Sequence, residues 1–592
     1  AEHRAEDVAE AVSALVRGTE RVSLLVTSQV PLQAASERVY RLKPLPLPDA
    51  VRLLATRTGK AGVAAPKAEQ ICEALDCNPL AIELAASRVD VLGLDGLAAR
   101  LHERLTLLVP ASANPSRRNA LAEALSWSHE LLAERERRVL RRLAVFPGSF
   151  SLEGAALVLS DGELPSAAAV ASVLSLVERS LVSTERGMAQ RRFRLLETMR
   201  LFALDKLATA GETALAQARL CDGLGWLLDD AYEESWRLPH AAWKARYEPE
   251  LPGLWAALAW AVEHDLTAAA TLFGAAAPLW MPRAIQARPH ALALAPLLAA
   301  GAGDVPAPVL ARFWWACARC HSVVHPGLAR EAAERAACLY RELGDERGEY
   351  LALVEYAFNW RVDCAEARAA LAAARRLENP GWPAAVLERG LTTEAVAHLT
   401  SGRHGEARRC YQAALEVCER GGFDAGVFRA RLNLADGARA AGELGLAVEL
   451  GEAMLAEPGD ANDLICLATL MSNLIGALVA QGRFDRAREV ARDCPRRLGR
   501  LALDDLWVGL DSVALLHLHA GNAALAARLA GVADREFEAH GQQQRQPNEA
   551  ADRAALAAGL ARALPAAEVA RLENEGRRIG LSDAMRAAFE FG

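Results

Sequence analysis

Four glycines recur at a nearly constant interval in the C-terminal third of the chain. Gly402, Gly442, Gly482 and Gly521 are 40, 40 and 39 residues apart, and an alanine follows each one five positions later, at Ala407, Ala447, Ala487 and Ala526. A glycine can end a helix in the left-handed conformation, and an alanine lets the next helix approach its neighbour closely. A period of this length is typical of stacked helix pairs. The register therefore predicts an α-solenoid.

The composition favours helices along the whole chain. Of 592 residues, 52% are hydrophobic and only 5% aromatic, and the abundant Ala, Leu, Glu and Arg have high helix propensity. A chain of this length forms three to four ordinary domains. Because the formal net charge is −8, any surface for nucleic acid would have to be local.

The eleven cysteines show no repeating framework, and this usage indicates reduced thiols in a cytoplasmic protein. No apolar run approaches the roughly 20 residues of a membrane span, so we expect no membrane partner. The segment Cys317-Ala-Arg-Cys320-His321 has the spacing of a c-type haem attachment site. Such a match inside an apolar helical run is usually accidental. We predict no catalytic residue and no metal site.

An α/β unit is predicted near the start of the chain. Residues 8–16 show helical spacing of apolar side chains, and residues 22–28 form a short β-rich apolar run. In parallel sheets the functional groups lie at the carboxyl ends of strands. Thr27, Ser28 and Gln29 occupy that position, although Thr27 and Ser28 could equally well only end the strand.

A second feature is a helix that starts at a proline. Asn78 and Pro79 interrupt a helical pattern, because proline has no N–H and disfavours a helical residue before it. Residues 80–86 are so apolar that the following helix must be buried on most sides. These residues alone fit a tight turn between two core helices, or a helix start that packs against a planar ligand.

Residues 113–210 are predicted to form helices followed by a small hairpin. Ser151 is placed to begin one helix, and two β-rich runs, 181–183 and 193–196, flank Gly187. Helices followed by a wing predict a winged-helix domain. Its densest basic cluster, Arg137, Arg138, Arg141 and Arg142, lies next to acids. This pattern indicates a solvated face and not a stripe that follows a phosphate backbone.

Several of these segments resemble the STAND class of signal-transduction ATPases, which includes NB-ARC switches and bacterial regulators with a tetratricopeptide arm. Residues 77–81, Cys-Asn-Pro-Leu-Ala, are similar to the family motif Gly-x-Pro-Leu-Ala, and residues 24–32 resemble its sensor strand. Residues 125–128, 141–146 and 195–203 resemble its winged helix. The turns at 402–408 and 482–488 look like tetratricopeptide turns with a lengthened period.

The resemblance implies a nucleotide site with ATP or ADP as cofactor in the intact protein. In the family the proline lies against the adenine, and an arginine after Thr-Ser senses the terminal phosphate; here that residue is Gln29. The implied nucleotide-binding residues are Thr27, Ser28, Gln29, Asn78, Pro79 and Leu80. The phosphate-binding motif G-x-x-x-x-G-K-S/T does not occur. We therefore expect neither tight ATP binding nor hydrolysis by this chain alone.

The predicted fold is mainly α: the end of a P-loop α/β core (1–43), a helical lid (44–112), a winged helix (113–210) and a tetratricopeptide-like α-solenoid (211–592). The resemblance implies the C-terminal portion of an ATP-dependent switch that regulates transcription. Its arm would sense an inducer or protein, its winged helix would act as a lever, DNA would be bound only by a module outside this chain, and the active state would self-assemble. The alternative is a non-enzymatic protein-binding scaffold.

Six tryptophans at irregular intervals distinguish the first part of the predicted arm: Trp226, Trp236, Trp243, Trp255, Trp260 and Trp280. They could line a ligand groove, but filling the interior is the commoner role of such large side chains.

Overall fold

A computed structural model describes residues 44–58, 65–79, 125, 126, 128–179, 181–185, 191–280, 284–301, 305–322, 325–360, 364–456, 464–539 and 545–590, together with residues 9, 10, 12–15, 37, 38, 81–83, 85, 86, 89, 93 and 94. The predicted strand 22–28, with Thr27, Ser28 and Gln29, lies outside these residues, as does Leu80. The chain divides into two compact units, residues 1–227 with 249–261 and residues 228–248 with 262–592.

The described residues are mainly helical, as predicted, with one two-stranded antiparallel sheet. Up to residue 280 the elements are α1 Leu47–Thr58, α2 Ala65–Ala74, α3 Glu134–Leu143, α4 Leu152–Leu159, α5 Ser166–Glu178, β1 Val182–Glu185, β2 Arg192–Leu195, α6 Glu197–Thr209, α7 Thr213–Glu234, α8 His240–Tyr247, α9 Leu251–His264, α10 Leu266–Ala275 and α11 Ala277–Trp280. Within the described part of the chain, none of the helices has the length and apolarity needed to cross a bilayer.

The remaining helices form the repeat arm. They are α12 Ala284–Gly301, α13 Ala307–His321, α14 Pro326–Leu343, α15 Glu346–Phe358, α16 Ala365–Leu377, α17 Ala384–Thr400, α18 His404–Arg420, α19 Asp424–Ala440, α20 Leu444–Ala456, α21 Leu464–Ala480, α22 Phe484–Asp504, α23 Leu510–His519, α24 Ala523–Ala539, α25 Pro547–Ala563, α26 Ala566–Gly576 and α27 Leu581–Phe589.

The helices around Pro79 enclose a small apolar core. Leu54 of α1, Ile71 of α2, and Ile82 and Ala85 of the helix that begins at Pro79 (the motif helix) have no exposed surface. These residues belong to one buried cluster. The described residues of the apolar run after Pro79 (Ala81, Ile82, Ala85 and Ala86) are therefore core, as the composition predicts.

The winged helix is built as the sequence predicts. Helices α3, α4 and α5 precede the β1–β2 hairpin, in which Val182 pairs with Leu195. Phe150, between α3 and α4, forms an isolated antiparallel bridge with Phe193 of β2 through N–H to O bonds of 2.7 and 2.9 Å. The Ser151 hydroxyl accepts a hydrogen bond from the Gly154 amide at 2.9 Å and so caps α4.

The arginines of α3 contradict one prediction. The Arg142 side chain is only 6% exposed and contacts Asp161 at 2.7 Å and Glu212 at 3.1 Å. Arg141 also contacts Glu212, at 2.7 Å. The hydrogen bond from Arg142 lowers the pKa of Asp161 well below its usual range. The prediction of a solvated face is wrong for Arg141 and Arg142, because they pair with Asp161 and Glu212, which lie far from them in the sequence.

The glycine register of the arm is confirmed. Gly402, Gly442, Gly482 and Gly521 have φ of 72°, 79°, 75° and 85° and lie in the turns that join α17 to α18, α19 to α20, α21 to α22 and α23 to α24. In each turn the residue after the glycine donates its N–H to a carbonyl oxygen of the preceding helix, as Arg403 does to His398 at 2.9 Å. The four alanines of the register are all buried.

Buried ion pairs connect alternate helices of the arm, and the sequence gives no sign of them. Glu355 of α15 is fully buried and contacts Arg319 of α13 at 3.0 Å and Arg389 of α17 at 2.8 Å. Glu388 of α17 contacts Arg429 of α19 at 2.7 Å. An unpaired carboxylate in the interior is unfavourable in free energy. These ion pairs therefore favour the packing of successive repeats that keeps each glutamate paired.

The tryptophans have mixed environments. Trp243 and Trp280 are buried, and their ring N–H groups donate to the carbonyl oxygens of Ala231 (2.7 Å) and Phe273 (3.0 Å). Trp226 is 52% exposed, and Trp236, Trp255 and Trp260 are half-buried. Interior filling therefore describes two of the six.

Two glycines three residues apart should respond oppositely to replacement by alanine. Gly402→Ala puts a side chain at φ 72°, which costs about 1–2 kcal/mol. Gly405 is helical and has open space where a Cβ would lie. Gly405→Ala should therefore raise the free energy of unfolding by about 0.5 kcal/mol. Urea unfolding followed by circular dichroism should show a lower midpoint for the first variant and an equal or higher midpoint for the second. If both variants had a lower urea midpoint, or both a higher one, the assignment of Gly402 to a left-handed turn would be contradicted.

Candidate functional site: the turn before Pro79

Residues 75–79 form the turn between α2 and the motif helix. Asp76 and Cys77 both have left-handed backbones, with φ of 53° and 51°. The Cys77 amide donates to the Cys72 carbonyl oxygen at 2.8 Å, and the Asn78 amide donates to that of Leu75 at 3.0 Å. Cys77 stands where the resembling motif has glycine. The backbone there adopts the conformation that glycine favours, although an L-residue pays about 1–2 kcal/mol for it.

The turn ends in a capped helix start. The Asn78 side-chain oxygen accepts a hydrogen bond from the Ala81 amide at 3.3 Å, and the Asn78 carbonyl oxygen accepts one from the Ile82 amide at 3.0 Å. Asn78 is thus the N-cap, and Pro79 is the first helical residue, where its fixed φ is favourable. Pro79 is exposed, so a ligand can reach its ring.

Asp76 ties this turn to the winged helix. Its carboxylate accepts a hydrogen bond from the Arg194 guanidinium on β2 and another from the amide of Glu197, the first residue of α6. Its side chain is only 4% exposed. Leu196, which precedes α6, provides no side-chain cap, so Asp76 caps that helix from 121 residues away in the sequence. We call Asp76, Arg194 and Glu197 the Asp76 clasp.

The electrostatics of the turn follow from its burial. Burial raises the pKa of Asp76, although the Glu197 amide and the Arg194 charge act in the opposite direction. Burial also raises the pKa of Cys72 to about 12 and raises that of Cys77. These thiols are therefore poor nucleophiles at neutral pH, and the turn presents an apolar surface beside one ion pair.

The structure brings together only part of the predicted nucleotide site. Asn78 and Pro79 are adjacent at the start of the motif helix, whereas Thr27, Ser28, Gln29 and Leu80 are outside the described residues. A role toward nucleotide stays a prediction for all six. Sequence reasoning missed Asp76 and Arg194, because nothing in the local pattern links residues 118 positions apart.

The third helix of the winged domain, α5, has an unusual surface for a DNA-reading helix. It contains no Lys or Arg, and its exposed positions include Ala167, Ala171, Leu174 and Glu178. Helices of this type that read bases or contact phosphates use basic and amide side chains. This helix face is suited to contact with protein.

Comparison with known proteins supports the winged helix directly. The family described as "Winged helix-turn-helix domain" matches residues 132–208. "Uncharacterized protein Rv0894" of Mycobacterium tuberculosis is 35% identical over 228 residues, which is 37% of this chain and 58% of that protein. "Putative HTH-type transcriptional regulator Rv0890c" of the same organism is 33% identical over 296 residues, 48% of this chain and 33% of that protein. The chain thus spans less than two thirds of either relative.

A solved structure is also similar over much of the chain. It is a STAND protein with a tetratricopeptide repeat sensor from Pyrococcus horikoshii, 14% identical, with a TM-score of 0.35, and the match covers 85% of this chain and 73% of that one. A score this low does not show a shared fold. The comparisons thus show a winged helix-turn-helix domain over residues 132–208.

Removing the Asp76 carboxylate should destabilise the first unit. Asp76→Ala leaves the Glu197 amide without its acceptor and leaves Arg194 with its longer contact to Glu185, at 3.8 Å; losing hydrogen bonds to a charged group costs about 1.5–3 kcal/mol. Asp49→Ala is the matched control, because Asp49 forms an exposed i,i+3 pair with Arg52, and its loss should lower the free energy of unfolding by less than about 1 kcal/mol. Urea unfolding measures the free energy of unfolding of both variants. Equal decreases for Asp76→Ala and Asp49→Ala would contradict a stabilising role for the Asp76 clasp.

Proposed function

We propose that this chain is the signal-transmitting portion of an ATP-dependent switch of the STAND class that regulates transcription. The observation that carries the proposal is the Asp76 clasp. It joins the turn before Pro79, the position that resembles an adenine-binding motif, to the junction of β2 and α6 in the winged helix.

The proposed nucleotide site uses the exposed start of the motif helix. In the intact protein the adenine of ATP or ADP packs on Pro79, beside Asn78 and Leu80, and the phosphates lie toward Thr27, Ser28 and Gln29. A phosphate-binding loop from another part of the intact protein completes the site. Because only two residues separate Asp76 from Pro79, a shift of the helix start also moves the clasp.

In this proposal the winged helix is a lever and does not read DNA. Helix α5 lacks basic residues, and Arg138, Arg141 and Arg142 of α3 are paired with acids. Target DNA is bound by a module outside this chain. The clasp passes the nucleotide state to the winged helix, and an inducer or protein bound to the repeat arm biases the same equilibrium.

The adenine contact can be tested by replacing the proline. In the intact protein, Pro79→Ala should weaken binding of a fluorescent adenine nucleotide about tenfold, since about 50 Å² of lost apolar contact is worth about 1.3 kcal/mol. Pro547→Ala is the control, because Pro547 also begins a helix, α25, but lies in the arm. Equal affinities for the two variants, or no nucleotide binding by the intact protein, would favour the scaffold alternative.

The lever can be tested with DNA. We expect this chain to bind DNA fragments only weakly and without sequence preference in fluorescence anisotropy, because helix α5 offers no basic side chain to the phosphates. Ala171→Glu, which adds a negative charge to the exposed face of α5, should change that binding less than about threefold, and Ala167→Gln serves as an uncharged control. Sequence-specific binding that Ala171→Glu abolishes would identify α5 as a DNA-reading helix instead.

A further inference from the structure

Three side chains with metal-binding atoms converge between two helices of the arm. Glu394 and His398 lie one turn apart on α17, and Cys410 lies on α18. A carboxylate oxygen, an imidazole nitrogen and the thiol sulfur are all within 4.8 Å of one another. Glu394 Oε1 and His398 Nε2 are 3.6 Å apart.

We propose that Glu394, His398 and Cys410 form a binding site for a divalent transition metal of the zinc type. Zinc accepts sulfur, nitrogen and oxygen ligands together in tetrahedral sites, and three protein ligands leave a fourth position for water. Magnesium and calcium prefer all-oxygen sites, so the thiol and imidazole select against them. The site is independent of the proposed nucleotide switch.

The helical framework holds the three ligands near one another before any ion binds. Residues four apart on a helix lie on the same face, which places Glu394 above His398. The Gly402 turn joins α17 to α18 and brings Cys410 against that face. All three side chains are half-buried. An ion can therefore reach them from solvent, and the ligand atoms are already partly desolvated before it binds.

Two arginines contact the ligands and must be accommodated. Arg375 contacts Glu394, and the Arg403 Nε donates a hydrogen bond to His398 Nδ1 at 2.9 Å. A metal on Nε2 requires the ring proton on Nδ1, so Arg403 has to turn away. Arg403 is exposed and the Arg375 side chain is 62% exposed. Moving these two side chains costs little free energy, because contacts made by exposed charged side chains contribute little to stability.

An ion at this site would link the two helices of one repeat. The ligands come from both sides of the Gly402 turn, so metal binding fastens α17 to α18 more firmly than the apolar contacts alone. From the sequence we predict no metal site, since no compact set of metal-ligating residues appears in it. The structure assigns the site by proximity.

Cobalt is a direct probe, because a cysteine ligand gives a sulfur-to-cobalt charge-transfer absorption. The full chain, prepared without a histidine tag, should bind one Co²⁺ with this absorption, and Zn²⁺ should displace it. Cys410→Ser should abolish the band. His398→Ala should weaken Co²⁺ binding by more than about tenfold, because loss of a direct ligand should cost more than loss of an outer-shell residue, which typically costs about tenfold or more. Cys338→Ser, at an exposed thiol on α14, is the matched control and should keep the band.

Thermal unfolding separates metal loss from misfolding. Zn²⁺ should raise the unfolding midpoint of the unmodified chain and of Cys338→Ser, and leave that of Cys410→Ser unchanged. If Cys410→Ser does not fold, Glu394→Gln provides the test, because it keeps the side-chain volume and should weaken Co²⁺ binding by more than about tenfold. No Co²⁺ band in the unmodified chain, or a band that survives Cys410→Ser, would overturn the proposal.

Discussion

The buried carboxylate of Asp76 is the constraint on which the arrangement of the first unit depends. A carboxylate removed from water is unfavourable unless charges and hydrogen-bond donors replace the water. Here the Arg194 guanidinium and the Glu197 amide do so. The turn before Pro79 therefore cannot leave the winged helix without exposing an unpaired acid and a bare helix start, while Arg194 would keep its longer contact with Glu185, at 3.8 Å. The clasp is therefore suited to two discrete states, one in which it is formed and one in which it is broken.

The left-handed backbone of Asp76 and Cys77 serves the same contact. Two consecutive non-glycine residues with positive φ are uncommon and store strain. They end α2 abruptly, and this places the Asp76 carboxylate toward α6 while Asn78 caps the next helix. One short turn thus provides the exposed proline of the proposed nucleotide site and the acid that holds the winged helix.

Features that depend on local chemistry could be predicted from the sequence. The four glycines predict the arm turns because only glycine adopts that backbone without strain, and Ser151 predicts a helix start because its hydroxyl can cap one. Contacts between distant segments could not be predicted. Arg142 looks solvated beside its sequence neighbours, yet its acceptors are Asp161 and Glu212. The same holds for Asp76, whose partners Arg194 and Glu197 lie 118 and 121 residues away in the sequence.

In the proposed function the nucleotide state reaches the winged helix through Asp76, and the Glu197 amide reports directly on the clasp. Because this amide donates to Asp76 and has no acceptor on Leu196, its hydrogen exchange should follow the clasp. In the intact protein we predict slow exchange at Glu197 with ADP, faster exchange with a non-hydrolysable ATP analogue, and fast exchange in both states for Asp76→Ala, which removes the acceptor oxygen. Equal exchange with both nucleotides, each bound at saturation, would contradict the account.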